Sequence, residues 1–102
     1  MPSFQKLVRD RIPEIIIANS EKPITRILND KEFLQELIKK LKEETLEFEE
    51  DNSIEELADI QEVILALAEA IGEDSKKLEE VRANKAQERG SFKNKVYLEG
   101  IK

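Results

Sequence analysis

The sequence predicts an all-α protein that is organised around an antiparallel pair of helices. Two long segments, 30–50 and 54–71, carry apolar residues at helical spacing. The segment that joins them, 51–53 (DNS), has the composition of a turn. A third helix is expected over residues 75–90. We therefore expect one domain over residues 1–102, with a fold of the four-helix-bundle type.

Shorter elements are expected on either side of the long helices. Pro13 suits the first turn of a short helix that Asp10 would cap and that would run through Ile17. Two β-prone segments, 23–28 (PITRIL) and 96–98 (VYL), are expected to pair as a small two-stranded sheet.

The apolar residues of the two long helices define the faces that should pack together. On the first helix they are Phe33, Leu34, Leu37, Ile38, Leu41 and Phe48. On the second helix they are Leu57, Ile60, Val63, Ile64, Leu67 and Ile71. The second helix also carries Leu65 off this face, so a single partner helix cannot cover all its apolar residues. The chain's own third helix or N-terminus could cover them, but we favour a homodimer.

Composition excludes several kinds of chemistry. The chain has 102 residues with no cysteine and no histidine, which excludes disulfides, ordinary zinc sites and catalysis by histidine or thiolate. The net charge of −6 disfavours polymeric nucleic acid and anionic membranes as partners. The three glycines are widely separated and form no Walker or Rossmann phosphate loop. No apolar run could span a membrane and no signal peptide is evident, so we expect a cytoplasmic protein.

Two pairs of acids flank the predicted turn at the same spacing. Glu44 and Glu47 precede the turn, and Glu56 and Asp59 follow it. In an antiparallel hairpin Glu44 is level with Asp59, and Glu47 with Glu56, because the members of each couple are equally far from the turn. Helices pack about 8–10 Å apart, so the four side chains can converge. Converging carboxylates repel one another unless a cation is bound, and oxygen ligands alone suit Mg²⁺ or Mn²⁺.

The positions of the acids around each helix support a metal site. Glu44 and Glu56 fall roughly 50–60° from the centres of their apolar faces, whereas Glu47 and Asp59 lie roughly 110–120° away, at the margins. The alternative is a solvated acidic surface, in which a Ser53–Glu56 capping box explains Glu56 without any metal. The mirror relation of all four acids favours the metal site.

Basic residues continue the apolar stripe of the third helix. Leu78 and Val81 are followed on the same face by Arg82, Lys85 and Arg89. Basic residues in a last turn stabilise the helix dipole, which explains Arg89. For Lys85, in line with the apolar residues, contact with an anion is an equally good explanation.

The acidic residues also resemble a known signature. Residues 43–47 (EETLE) and 56–59 (ELAD) are similar to the EExxE…ExxD pattern of the all-α nucleoside triphosphate pyrophosphohydrolases. That superfamily includes the MazG-type enzymes, the dimeric dUTPases and the phosphoribosyl-ATP pyrophosphohydrolases. Segments 6–16 (KLVRDRIPEII) and 85–98 (KAQERGSFKNKVYL) resemble its small, phosphoribosyl-ATP pyrophosphohydrolase-like branch. The resemblance therefore spans nearly the whole chain.

The resemblance implies a MazG-like fold, a dimer or higher oligomer, and Mg²⁺-dependent hydrolysis of the α–β phosphoanhydride of a nucleotide. The metal ligands that it implies are Glu44, Glu47, Glu56 and Asp59. Glu43 would be auxiliary or water-positioning, while Glu47 could instead accept the proton of the attacking water. The residues implied to contact phosphate oxygens are Lys85, Arg89, Lys6 and Arg9. The gap between the acidic pairs is shorter than in many relatives, which leaves less room for a large substrate.

Two other classes of protein fit the same residues. A regulatory module would bind Mg²⁺-nucleotide without turnover, and a structural helical dimer would bind neither. The intact acid pairs and the basic third helix favour the enzyme. No base-recognition pattern is evident, because Phe4, Phe92 and Tyr97 are as typical of a core as of base stacking.

Overall fold

The computed structural model describes residues 5–102, which form four α-helices. They are α1 (Ile12–Ala18), α2 (Asp30–Glu50), α3 (Ile54–Ala70) and α4 (Ser75–Arg89). α2 and α3 pack against each other as the predicted hairpin, and α4 contacts α3. The all-α class and the bounds of the three longer helices are confirmed, and the arrangement is compatible with a helical bundle. Within residues 5–102, no helix has the length and apolar character that a membrane crossing requires.

Local hydrogen bonds fix the ends of the longer helices. The Asn29 side chain accepts from the Glu32 N–H at 2.9 Å, and the Glu32 side chain accepts from the Asn29 N–H at 3.5 Å. This capping box satisfies two N–H groups that have no partner within the helix. Asp74 caps α4 by accepting from the Lys77 N–H at 2.7 Å. Gly90 follows α4 with φ +83, a left-handed conformation that favours glycine.

The start of α1 differs from the prediction. The helix begins after Arg11, and no side chain caps it, so the predicted role of Asp10 as a cap is wrong. Pro13 does lie in the first turn, as predicted. Because proline has no N–H, its position leaves one fewer donor for a cap to satisfy.

The core of the hairpin is small. The buried apolar side chains of residues 5–102 are Leu37, Val63 and Ala68. The predicted face of α3 is only partly correct, because Leu57 and Ile64 are exposed whereas Leu65 is half-buried. Part of the predicted apolar face of α3 therefore faces solvent, while a residue outside that face is partly covered.

The predicted two-stranded sheet does not form within the described residues. Segments 23–28 and 96–98 are irregular, and most of their apolar side chains are highly exposed, with Ile24 at 97% and Tyr97 at 86%, although Leu28 is half-buried. A two-stranded ribbon is marginally stable unless other elements cover one face. The high exposure of both segments shows that this support is missing. Phe92 is likewise exposed, so neither it nor Tyr97 is a core residue, and Phe4 lies outside the described residues.

Candidate metal centre

Three of the four predicted acids come together between α2 and α3. Glu44, Glu56 and Asp59 each offer a carboxylate oxygen, and these oxygens all lie within 4.8 Å of one another. Glu56 and Asp59 share one face of α3 because they are three residues apart. The short connection through residues 51–53 brings that face level with Glu44. Glu47 is exposed and lies outside the group of three.

Burial of two carboxylates distinguishes this group from an ordinary acidic surface. Only 9% of the Glu44 side chain is exposed. The Oε2 atoms of Glu44 and Glu56 are both buried, and neither has a hydrogen-bond partner among the described residues. Most buried polar atoms in proteins have such a partner, and an unsatisfied one destabilises the fold. A cation would satisfy both oxygens at once, so the residues fit a metal ion of the oxygen-binding kind.

The capping box does not account for Glu56. The Ser53 hydroxyl accepts from the Glu56 N–H at 3.4 Å, which is one half of the motif. The other half is missing, because the Ser53 N–H donates to the Asp51 carbonyl at 2.8 Å and not to the Glu56 carboxylate. The Glu56 side chain is therefore not used by the cap.

Electrostatics within the group disfavour ionised carboxylates. The pKa of Glu44 is raised, mainly because burial penalises the charged form and next because of the charge of Glu47, while Lys40 opposes the shift. The pKa of Glu56 is also raised, first by burial and then by the charges of Glu47 and Asp59. The charge of Glu47 therefore raises the pKa of both Glu44 and Glu56, although Glu47 lies outside the group of three. Raised carboxyl pKa values of this origin are typical of like charges brought together.

Lys40 is a member of the site that the sequence analysis missed. Its ammonium nitrogen lies 3.4 Å from Glu43 Oε2 and 3.7 Å from Glu44 Oε1. Its side chain is only 18% exposed. The sequence does contain a signal for this contact. Lys40 precedes Glu43 and Glu44 by three and four residues, so it shares their face of α2. Lys40 offsets part of the negative charge of the site. It also forms an ion pair with Glu43, which lies at the edge of the group.

Arg9 contacts the acids directly. Its Nη2 donates to Asp59 Oδ1 at 2.7 Å. This ion pair joins the segment that precedes α1 to α3, across 50 residues of sequence. Lys6 lies exposed in the same segment. The structure thus places Arg9, one of the predicted phosphate-binding residues, against the acids.

The basic residues of α4 are not brought into contact with the acids. Lys85 and Arg89 are exposed, and neither has an ion pair or a side-chain hydrogen bond within residues 5–102. Arg82, on the same stripe, instead holds both carboxylate oxygens of Glu79. Lys85 and Arg89 therefore remain available to an anion.

Comparisons with protein-family models, with curated proteins and with solved structures give no match for this chain. The fold and the site define a small all-α protein with a group of three acids that could hold a metal ion.

Proposed function

We propose that this protein is a Mg²⁺-dependent nucleotide pyrophosphohydrolase with a MazG-like fold, and that it hydrolyses the α–β phosphoanhydride of a nucleotide. The observation that supports this most strongly is the pair of buried, unpartnered oxygens of Glu44 and Glu56, grouped with Asp59. An acidic surface would not bury carboxylate oxygens without a partner. The resemblance of both acidic motifs to those of MazG-type enzymes indicates that the reaction is hydrolysis of this phosphoanhydride.

The charge of the site suits a divalent cation. The acids of the site are Glu43, Glu44, Glu47, Glu56 and Asp59, and they face two cations, Lys40 and Arg9. With all of these groups ionised, three negative charges remain uncompensated. Mg²⁺ in nucleotide-processing sites is commonly held by one or two carboxylates together with phosphate oxygens. The group of three therefore has enough ligands without Glu47.

Bound Mg²⁺ would neutralise charge on the phosphate oxygens and lower the pKa of the attacking water. Glu47 is exposed and lies beside Glu56, outside the group of three, and its carboxylate would accept the proton as the water oxygen attacks the α-phosphorus. The bond from the α-phosphorus to the bridging oxygen breaks, and pyrophosphate leaves with the electron pair. Glu43 would help to orient the water. Lys85 and Arg89, which have no partner in the described chain, would stabilise the departing pyrophosphate.

The test is a pyrophosphate-release assay with Mg²⁺ on canonical nucleotides, damaged nucleotides and phosphoribosyl-ATP. We expect the wild type to release pyrophosphate from at least one of them and Glu56→Gln to release none. Glu55→Gln is the matched control, because it removes the same charge from the adjacent exposed residue. Nucleotide binding without release would identify a regulatory module, and binding of neither nucleotide nor Mg²⁺ would leave a structural role.

We also propose that the protein is a homodimer formed through the uncovered apolar side of α3. Ile54, Leu57 and Ile64 of α3 are exposed, at 73%, 45% and 37%. A standard interface buries about 800 Å² per partner, and these side chains would form the apolar part of it. An open cleft of about 460 Å³ runs along α3, lined by Ile54, Leu57, Ala58, Ile60, Gln61 and Ile64. Two hairpins that meet through this surface would complete a four-helix bundle.

A further inference from the structure

Arg9 and Asp59 form the ion pair that connects the N-terminal segment to the candidate metal centre. Arg9 Nη2 lies 2.7 Å from Asp59 Oδ1, and the two side chains are 57% and 40% exposed. Asp59 is one of the three acids that could hold a cation. The same carboxylate is thus a ligand of the proposed metal ion and the acceptor of a guanidinium.

We propose that Arg9 is an internal counter-ion that competes with the divalent cation for Asp59, so that cation binding releases Arg9 from α3. This inference rests on the proposed function of the site, because it requires that the site binds a divalent cation.

Charge and position both support competition. A guanidinium at hydrogen-bond distance from Asp59 stabilises the negative group in the absence of metal. A divalent ion bound by Glu44, Glu56 and Asp59 would bring two further positive charges within a few ångströms of that guanidinium, and like charges at such distances repel. Because both side chains of the pair are partly exposed, Arg9 can move into solvent at little cost.

Release of Arg9 would make the binding of a nucleotide phosphate depend on prior binding of the cation. Arg9 belongs to the loop before α1, and its carbonyl accepts from the Ile12 N–H at 3.1 Å. Once separated from Asp59, the guanidinium would lie beside a cation-filled site with no partner. A phosphate group held by that cation offers the bidentate acceptor that a guanidinium prefers. Arg9 would then exchange a carboxylate for a phosphate, and only after the cation has bound.

The experiment measures Mn²⁺ binding without nucleotide, by electron paramagnetic resonance of the free ion. The proteins are the wild type, Arg9→Gln and Arg11→Gln. Arg11 is the matched control, because it lies two residues away with the same charge but pairs locally with Glu14 at 3.2 Å. We expect the Kd of Arg9→Gln for Mn²⁺ to be about two- to five-fold lower than that of the wild type, the range set by a partly exposed ion pair. Arg11→Gln should match the wild type.

Two further measurements test the mechanism of this effect. The difference between Arg9→Gln and the wild type should shrink at about 0.5 M KCl, because salt screens partly exposed charges. In nuclear magnetic resonance spectra, saturating Mg²⁺ should shift the side-chain Nε–H signal of Arg9 and leave that of Arg11 unchanged.

The outcomes separate this inference from the proposed function. Equal or weaker Mn²⁺ binding by Arg9→Gln overturns it, as does an Arg11→Gln effect of the same size or an Arg9 signal that ignores bound Mg²⁺. If none of the proteins binds a divalent cation, both proposals fall. If the Kd values for Mn²⁺ differ as expected but no nucleotide is hydrolysed, the proposed hydrolase activity is refuted. The competition between Arg9 and the cation then still stands.

Discussion

Glu44 of α2 and Glu56 of α3 belong to one group of carboxylates, and each has a buried oxygen with no partner in the described chain. At neutral pH the two side chains carry like charges next to each other, in surroundings that raise the pKa of both. Without a cation this arrangement opposes folding. With a cation it becomes a binding site whose ligands are already in place.

Removal of one charge should stabilise the metal-free protein and abolish its response to Mg²⁺. Glu44→Gln keeps the size of the side chain, so we expect its melting temperature in chelator to equal or exceed that of the wild type. Mg²⁺ at ten times its Kd should stabilise the wild type by about 1.4 kcal/mol, or about 7 °C in a domain of this size. Calorimetry should show no such shift in Glu44→Gln. The control Glu50→Gln, at the exposed end of α2, should keep the full shift, and an undiminished shift in Glu44→Gln would sink the metal site.

The stability of the metal-free protein should depend on pH through the same residues. Because the pKa values of Glu44 and Glu56 are raised by folding, the folded chain holds these protons more tightly than the unfolded chain. Their stabilising contribution is complete below the ordinary carboxyl pKa of about 4.3 and is lost as the pH rises through the raised values. We therefore expect the melting temperature of Glu44→Gln to rise relative to that of the wild type as the pH increases from about 4.3 through the raised pKa values. A difference that stays constant across this range contradicts the prediction.

The basic residues at the end of α4 should serve the substrate and not the fold. Lys85→Ala and Arg89→Ala each remove a charge that has no partner in the described chain. We expect each to lower kcat/KM by about tenfold, the effect of one charge-assisted hydrogen bond to the departing pyrophosphate, with unchanged helix content by circular dichroism. Lys76→Ala, at the exposed start of α4, is the control. Wild-type kinetics together with a lowered melting temperature in Arg89→Ala would assign Arg89 to the helix dipole.

An acid on the uncovered side of α3 should split the proposed dimer. Leu57 is 45% exposed in the single chain, so Leu57→Glu should leave the hairpin folded but place an unpaired charge in the interface. Sedimentation should then show half the wild-type mass. Gln35→Glu adds the same charge to an exposed position of α2 and should keep the wild-type mass. Equal masses for the wild type and Leu57→Glu would exclude this surface as the interface.

The parts of the structure that the sequence predicts are those decided by neighbouring residues. The bounds of the longer helices are one example, because the Asn29 and Asp74 side chains that cap α2 and α4 bond to N–H groups only three residues away. Glu44 and Asp59 meet because a short turn keeps the two sides of the hairpin in step. In each case the spacing along the chain determines the spacing in space.

The parts that the sequence did not predict depend on packing between distant segments. The pairing of Arg9 with Asp59 spans 50 residues, and no local pattern relates the two. Leu57 and Ile64 belong to the predicted apolar face, but they are exposed because no other part of the described chain covers them. The β-prone residues at 23–28 and 96–98 form no strand in the described chain, because β propensity takes effect only where a neighbour completes the sheet.

The short connection between α2 and α3 also has a consequence for the order of folding. Closing a loop as short as residues 51–53 costs little entropy, and contacts between neighbouring helices form quickly. The acids therefore meet when the two helices first dock, before α1 or α4 needs to be in place. Their repulsion then contributes to the activation barrier for folding, and does not arise only once the native structure is complete. The concentration of free divalent cation would thus govern how fast the chain folds, as well as how stable it is afterwards.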